Sequence, residues 1–269
     1  MDSPAVSNAM QRAKGCVRIT AKRRGEETVL DRLFQSGSGK ARLPNGAGFE
    51  AVLLNTAGGV TGGDLFENTI EAAADTAVTI TTQTAERIYR STGDEGRINN
   101  ALSVHHGACL HWLPQETIFF DHARLRRTLS VDMAEDATIL AVEPLVLGRA
   151  AMGEAVRDGF FSDQWRVRRG GRLIYADALR LNGDIQDVTK ATASLGGATT
   201  CASLLYISPD AEDRIEAVRA ALGEAGAASA FNGLISARII ADSSAALRTV
   251  LLRAVSVLRS DSLPRVWFS

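Results

Sequence analysis

The segment from His105 to His111, HHGACLH, is rich in side chains that bind transition metals. If the segment is a β-strand, His105, Cys109 and His111 project from one face and His106 from the other. Imidazole and thiolate groups are suitable ligands for Zn²⁺ or Ni²⁺. The three groups lie along a single strand, so they converge on one ion only if that strand bends. Two interpretations stay open: a metal site of a metal-dependent hydrolase, and a partly buried strand with an inert cysteine.

A second pattern, NTAGGVTGGD, runs from Asn55 to Asp64 and is dense in glycine. Glycines allow sharp turns and leave backbone amides bare, as an anion-binding loop requires. The pattern lacks the Gly-Lys-Ser/Thr ending of a phosphate-binding loop and does not match G-x-G-x-x-G. The alternative is a tight connection between strands in which Asp64 caps or hydrogen-bonds the turn.

Motifs of hydrolases and nucleic-acid binders are weak or missing in this sequence. It contains neither H-E-x-x-H nor G-x-S-x-G. Arg166, Arg168, Arg169 and Arg172 could contact RNA, but Trp165 is the only aromatic residue among them, and arginines on a hairpin are usually solvated. We therefore expect no nucleic-acid partner.

The composition favours a cytoplasmic protein with a sizeable core. The chain has 269 residues, 45% hydrophobic residues and a formal net charge of −1. This charge gives no global field that attracts nucleic acid or an anionic membrane. The three cysteines are too few and too far apart for a disulfide framework, which favours a reducing compartment. Neither a secretory signal nor a membrane-spanning run is evident.

The order of the elements predicts a mainly β protein. Residues 1–14 are small and polar and are expected to be a flexible leader, followed by one domain over residues 15–269. Short strand-like runs dominate the chain to about Tyr206, with a hairpin turn at Gly170-Gly171 and a loop over residues 35–46. Helices are expected after Pro209 and from Ser243 or Ser244. Strands without alternating helices argue against a doubly wound α/β fold. They favour a stacked or a sandwich-like β architecture, and the strand pattern does not choose between these two.

Several blocks of the sequence resemble the urease accessory protein UreD family, also called UreH. In order along the chain they are LNTAGGVTGGD (Leu54 to Asp64), TTQTAERIYRS (Thr81 to Ser91), WLPQETIFF (Trp112 to Phe120), EPLVLGRAAMGE (Glu143 to Glu154), GAASAFNGLISARIIA (Gly226 to Ala241) and LPRVW (Leu263 to Trp267). The order and spacing match from about Gln11 to the end of the sequence.

The resemblance implies a fold and a role. The implied fold is a β-helix-like stack of strands with a few helices, mostly toward the C-terminus. The implied role is that of a non-catalytic chaperone that inserts nickel into urease, acting with UreF, the GTPase UreG and the urease apoprotein. It also allows a homodimer within that complex, with transient nickel and no permanent cofactor.

Nickel relay through such a protein requires weak oxygen or nitrogen positions, since a tight thiolate site would retain the metal. Carboxylates beside apolar runs are candidates, because they are costly there unless paired or hydrated. Asp64, Glu143 and Asp177 meet this description, and Thr81, Thr82 and Gln83 are weaker candidates. The alternative is that Glu143 and Asp177 form ordinary ion pairs with Arg149 and Arg180. The His105, Cys109 and His111 set is not part of the family pattern.

Overall fold

The computed structural model describes residues 12–46, 48–149 and 153–268. Most of the predicted leader therefore lies outside the described residues, and the first strand already begins at Lys14. Within the described ranges, no helix is both long and apolar enough to cross a membrane.

Strands make up most of the described chain, and three α-helices join them. In chain order the strands are β1 (Lys14–Arg24), β2 (Glu27–Gly37), β3 (Gly39–Arg42), β4 (Phe49–Asn55), β5 (Leu65–Ala72), β6 (Ala77–Thr82), β7 (Glu86–Ile88), β8 (Gly96–Val104), β9 (Cys109–Leu113), β10 (Thr117–Phe119), β11 (Arg124–Met133), β12 (Thr138–Leu147), β13 (Gly159–Arg169), β14 (Arg172–Gly183), β15 (Thr200–Ile207), β16 (Gly226–Phe231) and β17 (Leu234–Ala241). The helices are α1 (Ile185–Lys190), α2 (Ala211–Leu222) and α3 (Ser244–Ser256).

The strands form two sheets that the chain visits alternately. The first sheet has the order β14-β13-β11-β8-β5-β1-β2, and the second has the order β16-β17-β15-β12-β9-β6-β4-β3, with β7 and β10 attached beside β12. Within each sheet the central neighbours are parallel, because the chain passes through the other sheet before it returns. The result is a β-solenoid-like stack of about 4 turns, which confirms the predicted fold class.

Alternating side chains place the main core between the two sheets. Strand β11 shows this alternation clearly, with Leu125, Leu129 and Val131 buried and their sequence neighbours more exposed. A separate core forms where α2 and α3 cover β15 to β17, and Trp267 belongs to it. The helices are thus confined to the C-terminal part of the fold, apart from the short α1.

Local predictions agree with the structure at the best-defined turns and caps. Gly170 and Gly171 have φ angles of +55° and +81°, as the hairpin turn requires. Ser243 caps α3, because its hydroxyl accepts a hydrogen bond from the amide of Ala246. The predicted loop over residues 35–46 is wrong in part: β2 continues to Gly37 and β3 follows, since pairing with β1 and β4 overrides the polar sequence. Helix α1 was not predicted from the sequence.

Candidate functional site

A polar cavity of about 160 Å³ lies between the two sheets near the ends of β4 and β6. It extends from the exposed residues Gly58 and Thr84 to the fully buried Arg127 and Glu143. The volume is enough for several water molecules. Other polar residues that line it are Asn55, Asn68, Thr82, Gln83, Glu86, Asn100, Gln115 and Thr117.

Parallel pairing aligns the lining residues of the first sheet. Phe66, Ile98 and Arg127 are lateral neighbours on β5, β8 and β11. Asn68 and Asn100 occupy the next inward-facing row, where the Asn68 amide donates to Asn100 Oδ1 at 2.9 Å. Asn100 is buried and Asn68 is half-buried. Amides removed from water cost free energy unless they are hydrogen-bonded, so this hydrogen bond stabilises both side chains.

The inner end of the cavity is an ion network around Arg127. Its Nη1 lies 2.5 Å from Glu143 Oε2 and donates to Thr117 Oγ1 at 2.9 Å. Its Nε and Nη2 contact the two Asp163 oxygens at 3.1 Å and 2.7 Å. Two indole N–H groups also donate to the carboxylates, Trp112 to Glu143 Oε1 at 2.9 Å and Trp165 to Asp163 Oδ2 at 3.2 Å.

Burial shapes the charge state of this network. Desolvation raises the pKa of Glu143 to about 7; Arg127 opposes this effect and the charge of Asp163 adds to it. The pKa of Arg127 is also raised, because its two carboxylate partners outweigh its own desolvation. One guanidinium therefore faces two carboxylates, and the raised pKa brings Glu143 close to its neutral form near pH 7.

Glu86 is the second carboxylate of the cavity. It lies on β7, and Asn55 donates an amide hydrogen to its Oε1 at 3.1 Å. Burial raises the pKa of Glu86 to about 7, and the Asn55 hydrogen bond partly offsets this. Glu86 is thus poised between its neutral and ionised forms near neutral pH.

Hydrogen bonds connect the C-terminal residues to the outer part of the site. Gln115, which lines the cavity, donates its amide to the carbonyl oxygens of Thr82 at 3.2 Å, Gln83 at 2.8 Å and Val266 at 3.0 Å. The indole N–H of Trp267 is 3.2 Å from both Thr81 Oγ1 and the Leu113 carbonyl.

Helix α3 strengthens this connection through one arginine. Arg248 binds both oxygens of Glu116, at 2.9 Å and 3.1 Å, donates to the carbonyl oxygen of Trp267 and lies over its ring. Segments that are far apart in the sequence therefore meet at this end of the molecule.

The sequence-predicted carboxylates have different positions. Asp64 does not line the cavity: its oxygens accept from the amides of Ala13 at 2.7 Å and Thr61 at 2.9 Å. This geometry confirms the interpretation that Asp64 hydrogen-bonds the glycine turn. Glu143 lines the cavity, but its partner is Arg127 instead of the predicted Arg149.

Asp177 belongs to a different contact between the sheets. It pairs with Arg238 at 2.7 Å instead of the predicted Arg180, and Arg238 also contacts Ser203. Asp177 lies on the edge strand β14. Its ion pair with Arg238 links the first sheet to β17 of the second sheet, away from the cavity. The other predicted ion pair is therefore also wrong, since long-range partners are invisible in the local sequence.

The prediction that His105, Cys109 and His111 share one strand face is wrong. Strand β8 ends at Val104, and Gly107, with a φ of +64°, turns the chain before β9 begins at Cys109. His105 instead contacts Glu71 on the first sheet at 3.2 Å.

Cys109 and His111 remain neighbours in a larger groove under residues 256–266. The Cys109 sulfur is 3.4 Å from His111 Nε2. Burial raises the pKa of Cys109 to about 11 and lowers that of His111 to about 4, so both are neutral near pH 7. No group of three or more His, Cys, Asp or Glu side chains could hold a metal ion within residues 12–46, 48–149 and 153–268.

Comparison with known proteins gives the family. The family model described as "UreD urease accessory protein" matches residues 13–268. The chain belongs to the UreD family of urease accessory proteins. It is 45% identical over 263 residues to "Urease accessory protein UreD" of Chelativorans sp. (strain BNC1), covering 96% of this chain and 95% of the relative.

Further relatives agree with this assignment. The chain is 45% identical over 273 residues to "Urease accessory protein UreD 1" of Methylobacterium radiotolerans, with 97% and 94% of the two chains covered. It is 42% identical over 260 residues to "Urease accessory protein UreD" of Agrobacterium fabrum, with 96% and 92% covered. As a member of this UreD family, the chain is an accessory protein and not an enzyme.

Proposed function

We propose that this protein assists urease maturation by passing nickel through the polar cavity between its two sheets. In this proposal it acts as a chaperone without turnover, docked on the urease apoprotein together with UreF and UreG. The observation that carries the proposal is that most residues lining the cavity belong to the blocks that give the family resemblance. Those blocks supply Asn55, Gly58, Thr82 to Arg87, Trp112, Pro114, Gln115, Thr117 and Glu143, and LPRVW supplies the contact of Val266 to Gln115.

The chemistry of the lining supports transfer of a divalent cation. Single carboxylates, amide oxygens and hydroxyls bind Ni²⁺ more weakly than thiolate sites do, and weak successive positions allow an ion to leave as well as to enter. Glu86 near the opening and Glu143 at the buried end are the two carboxylates of the cavity. Both have raised pKa values, so exchange of a proton for a metal ion at each is feasible near neutral pH.

The decisive experiment measures urease activity and nickel content in cells that carry the urease gene cluster. The strains contain no copy of this gene, the wild type, Glu86→Gln, Glu143→Gln, or the matched control Glu67→Gln. Glu67 lies on β5 like the lining residue Asn68, but its side chain is exposed. Deletion is expected to give nickel-poor, inactive urease, and the two cavity variants are expected to lower nickel content at least about threefold, by analogy with a lost weak ligand.

Complex formation must be measured in the same strains, because a loss of docking would imitate a loss of transfer. Affinity purification through urease should recover this protein, UreF and UreG equally from the wild type and the variants. If the complexes are intact and both cavity variants load urease fully, the transfer route is wrong. If the deletion strain makes fully nickel-loaded urease, the maturation role itself is wrong.

Three further predictions accompany this proposal: a cytoplasmic location, transient nickel with no resident cofactor, and a homodimer within the complex. Cell fractionation, metal analysis of the purified protein and light scattering of the purified complex test them separately. The geometry gives no support to the alternative of a metal-dependent hydrolase, because His105 contacts Glu71 instead of joining Cys109 and His111 on β9.

A further inference from the structure

Three guanidinium groups gather over one aromatic ring on the outer face of the first sheet. Phe160 is the second residue of β13, and the central guanidinium carbons of Arg124, Arg126 and Arg180 lie 5.7, 5.3 and 5.7 Å from its ring centroid. The ring is only 5% exposed, although it points away from the core between the sheets. We call Phe160, these three arginines and Arg97 the Phe160 cluster.

Strand pairing fixes the members of the Phe160 cluster on one face. Arg124 is the lateral neighbour of Phe160, and Arg126 is the lateral neighbour of Arg97 on β8. Arg180 on β14 pairs with Ser162, two residues beyond Phe160 and on the same face. The cations are therefore held on adjacent strands by the backbone, not by flexible loops.

Carboxylates compensate only part of this positive charge. Glu95 binds Arg126 through two contacts, at 2.9 and 3.2 Å. Over the described part of the chain, Arg97, Arg124 and Arg180 have no carboxylate within 4.0 Å, and the Nε of Arg124 is enclosed without a hydrogen-bond partner. The chain as a whole has a formal charge of −1, so this positive patch is a local feature.

Cation–π attraction explains why the arginines remain over the ring despite their mutual repulsion. A single neighbouring carboxylate cannot neutralise them, so an incoming anion would gain attraction from several cations at once. Guanidinium groups bind carboxylates through paired N–H donors, and such charge-assisted bonds are stronger than neutral ones.

We propose that the Phe160 cluster is a docking site for a carboxylate-rich segment of a partner protein. The site lies across four neighbouring strands, β8, β11, β13 and β14, which an extended acidic segment can cover. Stacking on nucleic-acid bases requires exposed aromatic rings, and the cluster's own ring is buried beneath its arginines. This inference is independent of nickel transfer, because the Phe160 cluster and the cavity lie on opposite faces of the first sheet.

The test uses two labelled probes of similar charge with the purified full chain. Fluorescence anisotropy measures binding of a fluorescein-labelled hexaglutamate peptide and of a labelled hexathymidine oligonucleotide, each at low and high salt. The variant Arg97→Gln/Arg180→Gln removes two exposed cations of the cluster. Arg168→Gln/Arg172→Gln is the matched control. It removes two exposed arginines beside the turn between β13 and β14, at the end of this hairpin that is far from Phe160.

The expected result is saturable hexaglutamate binding that weakens about 3- to 10-fold in the cluster variant and less than twofold in the control, as the loss of two exposed ion pairs predicts. The variant Arg124→Gln should weaken binding in the same direction. Both cluster positions used in the double variant are exposed, so folding should be unchanged, and a thermal melt verifies this. The proposal is overturned if no saturable binding occurs, if the control weakens binding equally, or if the oligonucleotide binds more tightly than the peptide.

Discussion

Arg127 and Glu143 face each other from opposite sheets, with Nη1 and Oε2 separated by 2.5 Å. Both side chains are almost fully buried, and Arg127 is shared with Asp163 of its own sheet. The pair therefore links the two sheets and also forms the inner end of the cavity. These two roles can be separated by experiment.

Replacing Arg127 by Met should lower the free energy of unfolding by about 3–5 kcal/mol at pH 7.5, because it leaves two buried carboxylates without their cation. Urea denaturation measures the loss. Arg32→Met, at a highly exposed position on β2, is the control and should change stability by less than about 0.5 kcal/mol. The loss should shrink at pH 5, where Glu143, whose pKa is raised to about 7, takes up a proton. A loss below about 1 kcal/mol at pH 7.5 would show that the network contributes little.

Glu86→Gln should change how stability depends on pH. The pKa of Glu86 is raised to about 7 in the folded chain from an ordinary value of 4.5, so the folded state binds more protons between these limits. Wild-type stability therefore falls as pH rises from about 5 to about 7, and the Gln variant lacks this contribution. Because water in the open cavity screens the carboxylate, we expect this pH-dependent loss of wild-type stability to reach only about 1 kcal/mol at pH 8. Thermal melts across this range measure it, and parallel profiles for the two proteins would contradict the assignment.

Trp267→Ala should destabilise the fold by about 3–5 kcal/mol, because it removes a buried ring between α3 and the second sheet. Trp267→Phe keeps much of the ring but loses the hydrogen bonds to Thr81 and Leu113, at a cost of about 1–2 kcal/mol. Phe268→Ala is the control, since that side chain is 70% exposed. Equal melting temperatures for the wild type and Trp267→Ala would mean that the C-terminal residues do not fasten the site.

Cys109 should react slowly with thiol reagents at pH 8, because burial raises its pKa to about 11 and leaves little thiolate. We expect its rate to be at least about tenfold below that of free cysteine. Labelling followed by peptide mass spectrometry measures the rate at each cysteine, and Cys109→Ala should leave the early phase of labelling unchanged. Rapid labelling at Cys109 would instead indicate an activated thiol.

Period-two alternation and paired glycines are local signals, and they predict a mainly β protein; the solenoid-like stack is predicted through the family resemblance. The sequence also places Glu143 beside an apolar run, as the structure shows. Arg127 could have been found by the same alternation, since it shares the inward face of β11 with Leu125 and Leu129. Burying a guanidinium group without a partner costs a large free energy. An arginine at such a position is therefore expected to have an oppositely charged partner.

Other features of the site depend on contacts that no local pattern contains. Asp163 reaches Arg127 across 36 residues, and Gln115 reaches Val266 across 151 residues. Glu86 lies in a short strand whose polar sequence gives no sign that its carboxylate is enclosed. The turn at Gly107 also separates His105 from Cys109, and no alternation pattern can survive a break in the strand.

Asn68 and Asn100 form a rung of amides across two parallel strands that face the cavity. The backbone pairing fixes the positions of these strands. The width of the cavity at this level is therefore set by the length of the side chains. The side chains that line the cavity can thus be replaced without a change in the backbone. Paired replacements at this rung offer a way to enlarge or reduce the cavity while the course of the backbone stays the same.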